Sequence, residues 1–308
     1  MTQQVKYIAE FPSTDNTYGE DDWYRHHGNS TVIINCKSSA IYYPEHWTPL
    51  SMKCAFNGKE FYKLRSTTYA VNDSTFLLLN EGNRYESFIN SESITESFTI
   101  NFTQNNIRWL AGFMYVPLTR IVDEPFTEAS YSFRIFEKLY PHSYETLSYI
   151  DAIKKNSNDK HSGQQKTAEI LYLFLNELIN LNITTSLEID NVHAKKRTTR
   201  EEIYKRLHIA KDYIQSCYEE DISLEALSRI CFLNPFHLLR EFKQYFRTTP
   251  HKYLTGVRLA EAKKLLQGGK NSIFDIAYKV GYEDVSSFSK LFKNHFGLSP
   301  EAYRKIMK

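Results

Sequence analysis

Apolar and polar positions change rhythm twice along this chain. Between Thr31 and Phe102 they come in short runs with period two: a β-branched run from Thr31 to Asn35, then Met52, Cys54 and Phe56 alternating with polar residues. Phe61 to Leu64, Tyr69 to Val71, Phe76 to Leu79 and the alternating Ser97 to Phe102 follow. Short strands roughly 8–12 residues apart, with turn residues between, predict an antiparallel sandwich or barrel. Asn57-Gly58 is the strongest short hairpin signal in the region. Residues 1 to about 30 are polar and aromatic and predict loops with an edge strand. From Ser130 to Ile153 the pattern turns helical through Phe133, Phe136, Leu139, Tyr140, Leu147 and Ile150, and Lys154 to Gln165 is a polar loop. Thr167 to Leu181 is strongly periodic through Ile170, Leu171, Leu173, Phe174, Leu175, Leu178, Ile179 and Leu181, an apolar face wider than one packing partner needs. Asn182 to Lys196 reads as a linker, and Thr198 or Thr199 with Glu201 or Glu202 as a capping box opening a second domain.

The remaining stretch repeats itself. Shifted by fifty positions, Phe242 meets Phe292, Lys243 meets Lys293, Phe246 meets Phe296, Pro250 meets Pro300 and Tyr253 meets Tyr303; Arg240 falls on Lys290, Leu238 on Phe288 and Ile230 on Val280. One supersecondary unit is used twice. In the first copy Ser223 caps a helix running to Ile230, the chain breaks at Cys231 to Leu233, and Asn234 caps a second helix with Pro235 at its first position. In the second, Asn271 or Ser272 caps a helix carrying Ile273, Ile276, Ala277 and Val280, Gly281 supplies a left-handed C-terminal residue, and Glu283 or Asp284 opens the next helix. Leu238, Phe242 and Tyr245 in one copy and Phe288, Leu291 and Phe292 in the other are the inward positions.

Two helices joined by about 3–4 residues form a helix-turn-helix, whose second helix enters the DNA major groove. The outward residues suit that use. The first copy offers Asn234, Phe236, His237, Leu239, Arg240, Lys243 and Arg247; the second offers Ser286, Ser287, Ser289, Lys290 and Lys293. Arg and Lys read guanine or grip phosphate, and Ser serves either role. A solvated basic face explains one such helix, but duplication favours DNA.

The run from Ala277 to Pro300 followed by Tyr303-Arg304 resembles the signature of AraC/XylS-type transcription regulators, and Leu224 to Leu266, with Arg258, Ala262 and Leu265-Leu266, resembles the first half of that domain. The resemblance covers about the last hundred residues. It departs at Arg247, where the family usually has Gly, so that either the turn differs or Arg247 gains a phosphate contact, and at Leu239, usually polar. The resemblance implies that the N-terminal strands form a cupin-like jelly roll that binds an effector, carried by the Asn57-Gly58 hairpin and the Val71–Asn80 stretch. It also implies that helices near Thr167 to Leu181 dimerise, through Ile170, Leu171, Phe174 and Leu178; packing on the chain's own barrel is the alternative.

The resulting reading is α+β: residues 1–185 an effector-binding and dimerisation domain, 186–197 a linker, and 198–308 a DNA-binding domain. Charge agrees. From Lys195 onward there are 22 Lys and Arg against 13 Asp and Glu, net +9, leaving 16 basic and 23 acidic residues, net −7, before it. Cys36, Cys54, Cys217 and Cys231 have no metal spacing and read as free thiols. There is no signal-like segment and no run of about 18 apolar residues, so a cytoplasmic protein is expected. His26, His27, Glu45 and His46 are the only candidate metal ligands, and they do not sit as a cluster on the strands; neither metal nor cofactor is expected. Tyr42, Tyr43, Trp47, Phe61 and Tyr62 line a pocket or fill a core. The function expected is a ligand-responsive, sequence-specific regulator of transcription, with double-stranded DNA, a small-molecule effector, a second copy and RNA polymerase as partners. A regulator whose barrel only dimerises, and a metal-cupin enzyme with a DNA-binding tail, are the alternatives.

Overall fold

A computed structural model of the chain describes residues 4–12, 20–103, 105–108, 110, 134–157, 159, 162–269 and 271–306. The chain forms two compact units, Met1–Asp190 and Asn191–Lys308.

The first unit is built on eight strands: β1 (Val5–Ile8), β2 (Thr31–Trp47), β3 (Ser51–Phe56), β4 (Glu60–Leu64), β5 (Thr67–Val71), β6 (Thr75–Leu79), β7 (Arg84–Asn101) and β8 (Leu139–Pro141). They run in the order β1-β2-β7-β3-β6-β8, with β4 held between β5 and β7. Every pairing is antiparallel except β1 with β2, which is parallel. The long strands β2 and β7 pair along their length, with register shifts at Ser38/Ala40 and Tyr43/His46; bulges of this kind bend a strand. On its other edge bent β7 serves two further neighbours, β3 along Glu96–Asn101 and β4 along Glu86–Phe88.

That arrangement corrects the hairpin reading. Asn57-Gly58 does join β3 to β4, and Asn57 is left-handed at φ 62°, yet β3 and β4 do not pair with each other. Both lie along β7, and the connection steps over the stretch of β7 that neither strand pairs. Residue 58 must be Gly there, because a Cβ would sit 2.0 Å from Thr95 Oγ1. The N-terminal segment holds a helix, α1 (Glu20–His27), beside the expected edge strand.

Because β3, β6 and β7 are covered on both faces, their alternation separates two cores. Met52, Cys54, Phe76, Leu78, Phe98 and Ile100 face one, where the helices α2 (Tyr144–Asn156) and α3 (Gly163–Asp190) pack. Ala55, Leu77, Leu79, Tyr62 and Tyr85 face the other, inside the curled sheet. The helical pattern expected from Ser130 holds only from Tyr144. Leu139 and Tyr140 are successive buried residues of β8, paired with β6, and Ser143 then caps α2 by accepting from the Thr146 amide; Phe133 lies outside the described residues.

Helix α3 overturns two expectations. It continues to Asp190, so its last turns occupy the start of the expected linker. Leu171, Phe174 and Leu178, expected on a dimer face, are buried in the core beneath it, with Ile170 packed against that core, because the sheet takes up this side of the helix. Phe174 stacks on Phe102 at 6.0 Å, and Tyr7 shares a 2.5 Å hydrogen bond with Thr167. The face turned outward carries Tyr172, Leu173, Ile183 and Leu187 instead. By length and composition alone α3 could cross a membrane; its buried residues fill the core of this unit.

The second unit is helical: α4 (Arg197–Ser216), α5 (Leu224–Ile230), α6 (Pro235–Phe246), α7 (Pro250–Gln267), α8 (Ile273–Lys279), α9 (Val285–Phe296) and α10 (Pro300–Ile306). The expected capping box does not form at α4, whose N-cap Lys196 makes no side-chain cap; Glu201 and Glu202 pair with Arg197 and Arg206 one turn away. Ser223, Asn234, Ser272 and Asp284 cap their helices, and Thr249 caps α7. Ser272 forms a reciprocal capping box with Asp275.

The repeat is not gapless in three dimensions. The caps of α5 and α8 are Ser223 and Ser272, forty-nine apart, while α6 and α9 start at Pro235 and Val285, fifty apart. Cys231 therefore corresponds to Val280, and Ile230 to Lys279. Both first helices end alike: Leu233 N donates to Ser228 O as Tyr282 N does to Ala277 O. The second turn then contains one more residue, the exposed Glu283.

Candidate nucleic-acid interface and ligand cavity

Helices α6 and α9 are the most amphipathic in the second unit. Leu238 and Phe242, and Phe288 and Phe292, are completely buried against the supporting helices. This packing fixes the rotation of each helix and turns the expected readers outward. Phe236 is 85% exposed, Arg240, Lys243 and Arg247 are exposed, and His237 and Leu239 are half-buried. On α9, Ser286, Ser287, Lys290 and Lys293 are exposed and Ser289 is half-buried. Leu291, expected inside, is 37% exposed, because Phe288 and Phe292 fill the interface. Asn234 is occupied as a cap, its Oδ1 accepting from the Phe236 amide.

A residue not read from the sequence organises the first reading helix. Glu241 is buried, and its Oε1 accepts from Arg240 Nε and Nη2 at 3.1 and 2.9 Å, with His237 Nε2 at 3.3 Å. Two outward side chains are thus held by one carboxylate from beneath. The counterpart of Glu241 is Leu291, which offers Lys290 no such anchor.

Arg247 settles the turn question. It stays left-handed, at φ 59°, as its counterpart Gly297 does at φ 79°. Phe232 is left-handed too, at φ 54°, where the second copy has Gly281. A side chain costs about 1–2 kcal/mol in this conformation, partly offset by the unfolded-state freedom a Gly adds. Arg247→Gly and Phe232→Gly should each raise stability by roughly 0.5–1 kcal/mol. Urea melts of the full chain would show it, and a lower midpoint for either variant would contradict the strain.

Helix α7 joins the copies, and Arg258 on it links the segment ahead of the first copy to the turn of the second. Its Nε and Nη2 donate to the carbonyls of Tyr218 and Glu220, each at 2.8 Å, ahead of the first copy. Its guanidinium lies 5.3 Å from the ring centre of Tyr282 in the second turn. Burial lowers its pKa below the usual range, opposed by the Tyr282, Asp221 and Glu219 charges.

The first unit encloses a cavity of about 290 Å3 on the inner face of the curled sheet. Tyr43, Trp47 and Tyr62 of the expected pocket aromatics line it, whereas Tyr42 is exposed and Phe61 stacks on Phe88. Three of the four candidate metal ligands, His26, His27 and His46, also reach it; Glu45 pairs with Arg84 at 2.9 Å. Among the described residues no three His, Cys, Asp or Glu converge as a metal site. His46 donates its Nδ1–H to the Pro44 carbonyl, 2.8 Å away, and burial lowers its pKa to about 4.

The cavity's polar groups escaped the sequence reading. Lys53, between Met52 and Cys54, points inside; its ammonium donates to Tyr85 Oη at 2.9 Å and lies 4.9 Å from that ring's centre. Burial lowers its pKa to about 7, with the Glu60 charge opposing. Glu60, also buried, has a raised pKa for the same reason, moderated by hydrogen bonds from Ser97 and Tyr62. Lys53 is flanked in β3 by the buried Met52 and Cys54, and Glu60 shares a face of β4 with the buried Tyr62 and Leu64.

A model of the helix-turn-helix domain family matches residues 227–306. The raffinose operon transcriptional regulatory protein RafR of Pediococcus pentosaceus is 38% identical over 101 residues, 33% of this chain and 36% of that protein. In the first such relatives the matched stretch spans 32–36% of their own length. The HTH-type transcriptional activator RhaS of Shigella dysenteriae serotype 1 is 22% identical over 279 residues, 90% of this chain and 93% of that protein. Among solved structures, the C-terminal domain of AraT, a response regulator from Geobacillus stearothermophilus, is 32% identical and covers 33% of this chain and 84% of its own, with a TM-score of 0.32.

Proposed function

We propose, from the premise that the C-terminal unit carries an AraC-type helix-turn-helix domain, that this protein is a transcription regulator whose two reading helices occupy successive major-groove segments on one face of a duplex. The observation that carries this reading is the pairing of two buried-faced helices with outward basic residues on the two ends of one connecting helix. Helix α7 has 18 residues, which span about 27 Å at 1.5 Å per residue. With the widths of the flanking helices, the readers approach one helical turn of DNA, about 34 Å. Phosphate contacts supply affinity, and base contacts supply sequence preference. Such a protein works in the compartment that holds the DNA, and RNA polymerase is the further partner this reading implies.

Arg240 and Lys290 occupy equivalent outward positions, so each should dominate one half of the site. Arg240→Ala and Lys290→Ala should each cost about 1–3 kcal/mol and relax preference in its own half, while Lys243→Ala and Lys293→Ala should weaken all sequences alike and flatten the salt slope by about one unit each. Titration against a site library at two salt concentrations reads both effects. Unchanged preference, or loss confined to the same half by both variants, would falsify the two-headed reading.

The cavity supports a small-molecule effector, since a recess of mostly apolar surface, with several aromatic rings and buried polar groups, is the form a binding site takes. An effector acts only through unequal affinity for two states of the protein. A homodimer is proposed through the outward face of α3. Leu173→Glu with Leu187→Glu should give a folded monomer by light scattering; a wild type already monomeric at tens of micromolar would remove the proposal. A barrel that dimerises without a ligand is the second reading, favoured if no small molecule alters DNA affinity.

A further inference from the structure

The cavity contains two ionisable groups that influence each other without joining. Lys53 on β3 and Glu60 on β4 are both buried, and the charge of each favours the charged form of the other, yet they form no ion pair with each other. The ammonium of Lys53 is hydrogen-bonded to Tyr85 Oη. An ammonium has three donors, so two are left over. Glu60 takes hydrogen bonds from Ser97 and Tyr62, while its Oε2 is buried with no partner. Buried charges are ordinarily paired, because solvent that would screen them is excluded. Lys53 and Glu60 both line one recess, whose remaining wall includes Phe11, Trp23 and Trp47.

We propose that the cavity binds a zwitterion, an amino acid or amino-acid-like molecule with an apolar or aromatic body. Its carboxylate meets Lys53, its ammonium meets Glu60, and its body lies against the aromatic wall. This rests on reading the cavity as the effector site. Charge decides among ligand classes. A simple carboxylate would satisfy Lys53 and face the like charge of Glu60. A simple amine would do the reverse. A neutral polyol could hydrogen-bond to both groups but would compensate neither charge. Only a molecule with a positive and a negative end offers a partner to each group. His46 adds no charge, since its ring is held neutral by burial. A volume of about 290 Å3 accommodates one small molecule with a single ring system.

The test is a calorimetric titration of the full chain with four matched probes: L-phenylalanine, 3-phenylpropanoate, phenethylamine and D-glucose. L-phenylalanine should bind at least tenfold more tightly than the other three. Glu60→Gln should narrow its advantage over 3-phenylpropanoate, and Lys53→Met its advantage over phenethylamine, with both variants checked by circular dichroism. If either variant misfolds, the wild-type series alone decides. The proposal is overturned if a one-ended probe or the sugar binds best, or if L-phenylalanine fails to bind at millimolar concentration. Failure of the underlying reading looks different: L-phenylalanine then binds as expected, but DNA affinity does not change. Glucose or 3-phenylpropanoate binding best and altering DNA affinity would keep the effector site and remove only the zwitterion.

Discussion

Gly281→Ala should destabilise the C-terminal unit by about 3 kcal/mol or more, the largest loss expected from removing no atoms at all. Two causes add. The residue is left-handed at φ 86°, where an L side chain costs about 1–2 kcal/mol. A Cβ would also lie 2.8 Å from both Arg258 Nη2 and the Glu219 carbonyl oxygen. Neither neighbour can yield cheaply, because Arg258 is fixed by the Tyr218 and Glu220 carbonyls and a hydrogen bond to a charged group contributes about 1.5–3 kcal/mol. Gly297→Ala is the control. Its φ is similar, at 79°, but the added Cβ meets nothing within 4 Å, so only the conformational cost of about 1 kcal/mol applies. Differential scanning calorimetry of both variants separates strain from crowding. Equal losses would mean that the contact between Arg258 and the second turn does not hold the two copies together.

The second large effect is in the other unit. Leu171→Glu combined with Leu178→Glu should abolish folding of the N-terminal unit rather than yield a folded monomer. Both leucines are fully buried in the core shared by the sheet and α3. Each change removes a packed side chain, typically worth about 2–5 kcal/mol, and buries a carboxylate with no partner. Together they exceed the roughly 5–15 kcal/mol by which a domain is stable. Loss of the β signal in circular dichroism and rapid proteolysis of this unit are the expected readings. A well-folded monomer would mean that α3 does not pack as described.

What could be read in advance follows a physical divide. The second unit was legible because its signals are local: a cap such as Ser223, Asn234 or Ser272 acts on an amide two or three residues away, and Leu238, Phe242, Phe288 and Phe292 recur at helical spacing. The first unit depends on distant pairing. The strand cores at Met52–Phe56 and Phe76–Leu79 were readable, but not the full length of β2 and β7, whose polar stretches are held by neighbours far along the chain. Asn57-Gly58 carries turn chemistry without saying which strands the turn will pair. Leu171 and Leu178 show a related limit: periodicity reveals an apolar face without revealing what covers it. Lys53 and Glu60 were not singled out in the sequence, because alternation assumes that one face of a strand meets solvent. Glu241 was invisible for another reason, since an acidic residue on a basic reading helix looks like noise until its oxygen is seen under Arg240 and His237.

Glu283, the extra residue in the second turn, gives the proposed DNA complex a direction. Helix α6 begins behind a neutral cap, Asn234, which fills the Phe236 amide but brings no negative charge to the positive end of the helix. Helix α9 begins behind two carboxylates, Glu283 and Asp284, the second already hydrogen-bonded to the Ser286 and Ser287 amides. Both helix starts are capped, the first without charge and the second by a carboxylate. In the proposed complex a phosphate approaching the first head meets no like charge, whereas one approaching the second meets two carboxylates. An operator whose two halves are exchanged is then not a synonym of the original, even if every base that is read is retained, because the strongly held half would sit under the weaker hand. A duplicated fold thus reads its site as a phrase with a fixed word order.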